Sequence, residues 1–472
     1  MNDEGVILSL QGQVAEISFT DKRYRPAQHD ILTVVEAPGV QLEAVMSSSP
    51  TSFYCLVLTP GAELTRGMHV TNTKQPLQVP VGEVVLGRAL DIFGQPHDGG
   101  PPPSREVLRP LFANRAISLN EVTTPQRVLE TGIKAIDFFT PVVEGGTSAL
   151  IGGAGIGKTV ILTELVNRLV IQRGTQADTV AVFAAVGERS REAHELYMRL
   201  TNAEVLPYTA LLLGQMGENP AIRSRTAHAA AAVAEYFRDE SGKRVIFFMD
   251  NIYRFAQAGH ELATLMHVIP SEDGYQPTLP SEMAALNERL ISTTKATTTS
   301  FLALYVPSDD LTDYAVRSVF PYVDTMVVLS RDVYQAGRFP AIDLLSSTSI
   351  ALNPLIVGIL HYTTFITAKR LLEEADSLER MVSLIGESEL SPENRQVYRR
   401  AQLIISYMTQ DLFVSQAETG HEAAFVPLKE TVRVVADILA GKYDQYDPDD
   451  LRYIGSIENI KQPAQQRTAA RS

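Results

Sequence analysis

Cysteine is nearly missing from this 472-residue chain: Cys55 is the only one. One thiol cannot close an intrachain disulfide, so the fold does not rest on oxidation, which fits a reducing compartment. Long apolar runs are missing too. No stretch approaches the roughly 18 consecutive apolar residues that span a bilayer. No basic segment followed by an apolar run opens the chain, so no secretory signal is expected. Any membrane role must come through partner subunits. Positive charge is in deficit, with 41 Lys and Arg against 55 Asp and Glu and a formal net charge of −14. Nucleic-acid binding needs a basic face to neutralise phosphates, which argues against that class, and a net negative surface is repelled by anionic lipid. Internal repeats and low-complexity tracts are absent, and the one disorder-like stretch is the polar tail, residues 462–472.

What is present is an ordinary globular composition, 45% hydrophobic and 20% charged, in a chain long enough for about three domains. Residues 6–10, 14–19, 31–35, 40–45 and 53–58 read as short alternating strands, punctuated by turn formers such as Pro38-Gly39 and Pro60-Gly61. That pattern belongs to a small β-barrel or another small β-domain. A turn-rich stretch follows at 94–103 and reads as a surface loop. From about Gly132, apolar runs at 148–151, 179–186, 245–249, 301–306 and 325–329 accompany helical periodicity at 158–172. Strands alternating with helices predict a parallel sheet covered on both faces. Beyond about Asn353, residues 361–385, 392–408 and 428–440 have apolar residues at helical spacing, the mark of a helical domain. Ser391 followed by Pro392 reads as a helix start.

Gly152-Gly153-Ala154-Gly155-Ile156-Gly157-Lys158-Thr159 fits G-x-x-x-x-G-K-[ST], with an apolar strand before it and a helix opening at Val160 after it. The chemistry explains the residue types. Glycines let backbone N–H groups converge on phosphate oxygens, and the helix N-terminus adds positive partial charge. Lys158 supplies an ammonium for the β and γ phosphates, and the Thr159 hydroxyl is a hard oxygen ligand for Mg²⁺. A second acid at a strand end is expected for the metal. Asp250, after five apolar residues, supplies it, the alternative being a helix cap. Glu188, directly after the run 179–186, is the candidate for polarising the attacking water, because loops at the C-terminal ends of parallel strands carry such groups. Arg189 in the same loop is suited to phosphate. Arg191 and Glu192 read equally well as a solvated charge cluster.

These residues resemble the β subunit of F-type ATP synthase over nearly the whole length. The resemblance rests on GGAGIGKT (152–159), GERSRE (187–192), MDNIYRFAQAG (249–259), GYQPTL (274–279), YVPSDDLTD (305–313) and TGHEAAFVPLKET (419–431). It implies a β-barrel over 1–78, a RecA-like P-loop nucleotide domain over 79–350 and a helical domain over 351–472. It implies ATP or ADP as substrate with Mg²⁺. It also implies a ring alternating three such chains with three α subunits around a γ stalk, and a peripheral place on the cytoplasmic face of a membrane through an ion-translocating sector. Residue by residue, it makes Lys158 and Thr159 the phosphate and magnesium residues and Glu188 the water-orienting acid. Arg189 and Arg254 become phosphate-sensing arginines, and Glu192 and Asp250 part of the magnesium shell. Asp309, Asp310 and Asp313 fall in a loop that faces the stalk in that family. The noncatalytic α subunit carries glutamine where Glu188 stands, so the resemblance favours the catalytic subunit.

The chain also departs from that pattern. A base-stacking tyrosine is replaced by Phe339, which keeps the aromatic face. Leu412 and Glu418 fall where two further phenylalanines are expected, with Phe413 as a substitute if the register slips by one. An acidic turn of the helical domain reads Glu387-Ser-Glu-Leu-Ser-Pro-Glu393-Asn394, and Tyr314 stands where a proline is expected, with Arg317 nearby. The rival readings are a nucleotide-binding subunit of the same ring with little turnover, and a translocase or secretion ATPase on the same core. The acidic balance argues against a nucleic-acid translocase, and the helical tail with its ESELSPEN turn argues against a secretion ATPase.

Overall fold

The computed structural model describes residues 4–460 apart from 22, 24, 60–62, 113–116, 125–126, 173, 175–176, 272, 307–311 and 417–419. Among them, six strands close into an N-terminal barrel: β1 (Glu4–Gln11), β2 (Val14–Ser18), β3 (Asp30–Val34), β4 (Gln41–Ser47), β5 (Ser52–Val57) and β6 (His69–Pro76), in the order β1-β2-β5-β4-β3-β6. Five of these follow the alternation read in the sequence. β6 does not announce itself, because HVTNTKQP buries only Val70. It closes the barrel by pairing with β1 on one side and β3 on the other, which leaves no open edge. Ile7, Ile17, Leu32, Leu42, Cys55 and Val70 fill the interior. Burial, with the Glu43 charge adding to it, holds the Cys55 thiol far above its ordinary range, so this cysteine is an inert core residue.

The chain folds as two compact units, residues 1–123 with 176–322 and residues 124–175 with 323–472. In the first, beyond the barrel, the strands Thr298–Tyr305, Arg244–Asp250, Thr179–Glu188, Thr209–Gln215 and Ala89–Leu90 lie side by side in that order, all parallel. Phe183, Phe248 and Phe301 sit in register on three adjacent strands and stack with centroids 5.7 and 5.3 Å apart. The alanine-rich helix Pro220–Asp239 lies against this sheet. Its small side chains permit close approach, and the Asn219 side chain caps it by accepting from the Ile222 N–H at 2.9 Å.

In the second unit the strand Thr147–Gly152 pairs in parallel with Thr325–Val328, which pairs antiparallel with Thr348–Ser349. The long helices Ile359–Ile385, Pro392–Tyr407 and Leu428–Leu439 follow, as the apolar spacing predicts. Ser391 does start its helix: its hydroxyl accepts from the Asn394 N–H at 3.2 Å with Pro392 in the first turn. The helix expected over 158–172 is α-helical only over Lys158–Val166, then widens into a π-helical stretch, Asn167–Gln172. The architecture is thus an N-terminal six-stranded barrel, a central parallel α/β domain and a C-terminal helical domain. Among the described residues no helix is long and apolar enough to cross a membrane.

Candidate functional site

The phosphate loop sits in the second unit, between the buried strand Thr147–Gly152 and the helix Lys158–Val166. Gly157 at the helix start has φ +94°, a left-handed conformation that only glycine adopts without strain. The Lys158 ammonium turns back over its own loop, donating to the Gly152 carbonyl at 2.7 Å and to the Gly153 carbonyl. It therefore stands at the loop's mouth, where a phosphate would meet both it and the helix N-terminus. Arg331 donates to the Ala154 carbonyl at 3.4 Å, holding the loop's tip.

Two strand ends of the first unit carry the acids. Thr179–Glu188 is buried along its length until its last residue, and Ala185 is in register with Asp250 on the adjacent strand. Glu188 and Asp250 therefore lie together at the C-terminal end of two adjacent parallel strands. Burial, the Asp250 carboxylate and a hydrogen bond with Glu192 push Glu188 up to about 9, opposed by the positive charge of Arg254. The Arg254 N–H is capped by the Asn251 side chain at 3.0 Å, and its guanidinium donates to Gln257 Oε1 at 3.1 Å. Arg189 is different: its side chain is 69% exposed and stands 3.8 Å from Glu192. The structure thus groups Glu188, Glu192, Asp250 and Arg254 and leaves Arg189 on the solvent side of the group.

Gly187 makes that grouping possible. Its φ is +68°, and a Cβ there would stand 3.0 Å from Arg254 Cβ. Gly187→Ala is expected to destabilise this unit by about 1–3 kcal/mol and to displace Arg254. Chemical denaturation of the variant checks it, and an unchanged midpoint would show that the backbone relaxes freely.

Phe339 is 40% exposed, with Tyr334 edge-on to its ring at 5.4 Å. Leu412 is buried, whereas the Phe413 ring lies 4.8 Å from the Arg168 guanidinium carbon. Asp313 is occupied within the chain: it accepts from the Tyr275 hydroxyl at 2.9 Å and caps the short helix Tyr314–Arg317. Glu418, Asp309 and Asp310 lie outside the described residues. Among the described residues no three His, Cys, Asp or Glu side chains converge to hold a metal by themselves. Glu192 and Asp250 in the first unit and the Thr159 hydroxyl in the second are each hard oxygen donors, the kind that magnesium takes.

One feature was missed by reading motifs. Glu164 and Arg168 are fully buried and paired on the phosphate-loop helix, and Gln410 is buried beneath the base-site candidates. The available signal was a charged pair at i and i+4 inside an otherwise apolar helix.

Residues 132–349 match the nucleotide-binding domain of the ATP synthase alpha/beta family. Residues 357–446 match the C-terminal domain of V and A type ATP synthase. The second match overturns the F-type β assignment. The motifs behind that assignment lie mostly in the nucleotide domain, where phosphate chemistry dictates the residues, whereas the class is carried by the helical domain. Several departures, the ESELSPEN turn and Leu412 among them, fall in that helical part. The three α partners and γ stalk go with the F-type assignment, and membership in a rotary ATPase hexamer replaces them. The two matches, to an alpha/beta-family nucleotide-binding domain and to a V and A type C-terminal domain, together point to an alpha/beta-type subunit of a V/A-type rotary ATPase.

Proposed function

We propose that this chain is the nucleotide-hydrolysing subunit of its rotary head, turning over magnesium ATP in step with ion transport, and not its non-catalytic counterpart. The observation that carries the reading is Glu188, a carboxyl at a strand end beside Asp250, with its pKa raised and Arg254 as its local counter-charge. Phosphoryl transfer asks for positioning and charge neutralisation more than covalent chemistry. The N–H groups of 152–159 and Lys158 take the phosphates. Thr159, Asp250 and Glu192 are the residues that would hold a magnesium ion, which would neutralise phosphate charge. Positive charge beside Glu188 would favour its ionised form, and the carboxylate would then orient the attacking water. Arg254 and Arg189 offset the charge spread over the transferring group. We assign the barrel to 1–78, the nucleotide domain to 79–350 and the helical domain to 351–472.

A nucleotide-binding role without turnover is favoured by one observation, the aliphatic Leu412 where a base-stacking aromatic is expected. The two separate in a reconstituted head carrying Lys158→Ala in this chain alone. A catalytic chain loses ATP hydrolysis by about a hundredfold or more, the scale of removing one group that stabilises transition-state charge. Hydrolysis at the wild-type rate would end the catalytic reading.

A further inference from the structure

We propose that Glu164 is a positioning residue for base recognition: it ties the wall that meets the nucleotide base to the helix that carries the phosphate loop. The inference rests on the reading of Phe339 and residues 412–413 as that wall. Glu164 lies six residues beyond Lys158 on the same helix and is fully buried. Its Oε1 accepts from the Phe413 N–H and its Oε2 from the Val414 N–H, each at 3.0 Å. Arg168 Nε donates to the same carboxylate. Arg168 in turn donates to the Gly132 carbonyl at 2.7 Å and lays its guanidinium over the Phe413 ring at 4.8 Å. The carboxylate is therefore held from one side by a cation and from the other by two consecutive backbone N–H groups.

Gln410 joins the other half of the wall to the same anchor. Its N–H donates to the Phe339 carbonyl at 2.8 Å, and its side chain donates to the Gly132 carbonyl at 2.9 Å and to the Ala424 carbonyl at 2.7 Å while accepting from the Lys134 N–H at 2.9 Å. The two halves thus meet at the Gly132 carbonyl, which Gln410 reaches directly and Glu164 reaches through Arg168. A buried side chain with three directed hydrogen bonds does not drift, so the separation between the phosphate-loop helix and residues 413–414 of the wall is fixed by one side chain that belongs to neither the loop nor the wall. Only a carboxylate serves: glutamine keeps one acceptor oxygen and points a donor at the remaining N–H.

The test compares magnesium ATP with magnesium tripolyphosphate, which carries the phosphates without a base, on the whole chain. In Glu164→Gln, ATP affinity is expected to fall at least tenfold while tripolyphosphate affinity changes less than twofold. Glu164→Asp, which keeps both oxygens but is shorter, is expected to show the same selectivity with a smaller loss, and it decides the matter should Glu164→Gln fail to fold. Equal losses for both ligands would overturn the proposal, because general damage does not distinguish them, and so would no loss for either. Wild-type protein that binds ATP no more tightly than tripolyphosphate would remove the base wall itself. That failure is recognisable because it appears without any substitution.

Discussion

Glu188→Gln should leave magnesium nucleotide bound to the head and slow its hydrolysis by about a hundred- to ten-thousand-fold. Glutamine fills the same volume at the end of the strand Thr179–Glu188 but cannot carry the negative charge that orients water. The binding term has a second signature. Burial, Asp250 and Glu192 push Glu188 up to about 9, and positive charge bound beside it would favour the ionised form. Affinity for magnesium nucleotide should therefore rise with pH up to about 9 in the wild type and be flatter in the variant. Stability runs the other way. The folded chain holds the Glu188 proton above the unfolded carboxyl's 4.5, and ν_N exceeds ν_U across that window, so stability falls as pH climbs from about 4.5 toward 9. Glu188→Gln removes that slope. Calorimetric titrations in buffers of different ionisation enthalpy count the proton directly. Full turnover by the variant would take Glu188 out of the mechanism.

The parts of the fold that are legible in the sequence are those whose local chemistry repeats. The phosphate loop is readable because glycine, lysine and threonine occupy positions dictated by phosphate geometry. The buried strands 179–186 and 245–249 are readable because parallel strands covered on both faces have no reason to alternate. β6 fails that test, since closing a barrel demands backbone pairing and only one inward side chain, Val70. The strand Thr209–Gln215 went unread although it is buried, since its short apolar run has no periodicity of its own. The rotary class escaped for a different reason. Motifs that handle phosphate are shared wherever that chemistry is done, so they say little about the helices that meet the rest of the machine. Departures such as the turn 387–394 and Leu412 fall inside the segment that matches the V and A type C-terminal domain, and without a second pattern to match they read only as divergence. The Glu164–Arg168–Gln410 anchor is legible in principle as charge on an apolar helix, but its partners lie about 250 residues away in sequence.

Removing Glu43 should be among the most destabilising single changes in the chain, by about 3–5 kcal/mol. Glu43 stands on β4 inside the first unit, 1% exposed, and accepts from Arg225 Nε at 2.7 Å and Nη2 at 2.9 Å. His29 Nδ1 approaches it at 2.6 Å. Burial alone would raise this carboxyl, yet Arg225 and the hydrogen bond from His29 outweigh it and leave the pKa below its ordinary value. Phe112 completes the cluster, stacked on His29 at 3.8 Å and lying 5.2 Å from the Arg225 guanidinium carbon. In Glu43→Ala the guanidinium stays buried on the helix Pro220–Asp239 without its counter-charge, and that orphaned cation, more than the lost hydrogen bonds, sets the cost. The double variant Glu43→Met, Arg225→Met should recover much of the loss, because it removes the cation along with the anion. The folded pKa is depressed, so the contribution of Glu43 is present above about pH 4.5, the unfolded value, and fades as pH falls through the folded one. The Glu43→Ala penalty should accordingly shrink in acid. Urea unfolding followed by far-ultraviolet circular dichroism reads the difference in a chain without tryptophan. A loss under about 1 kcal/mol, the scale of an exposed pair, would mean that water reaches Arg225 and that barrel and helix are held together by packing alone.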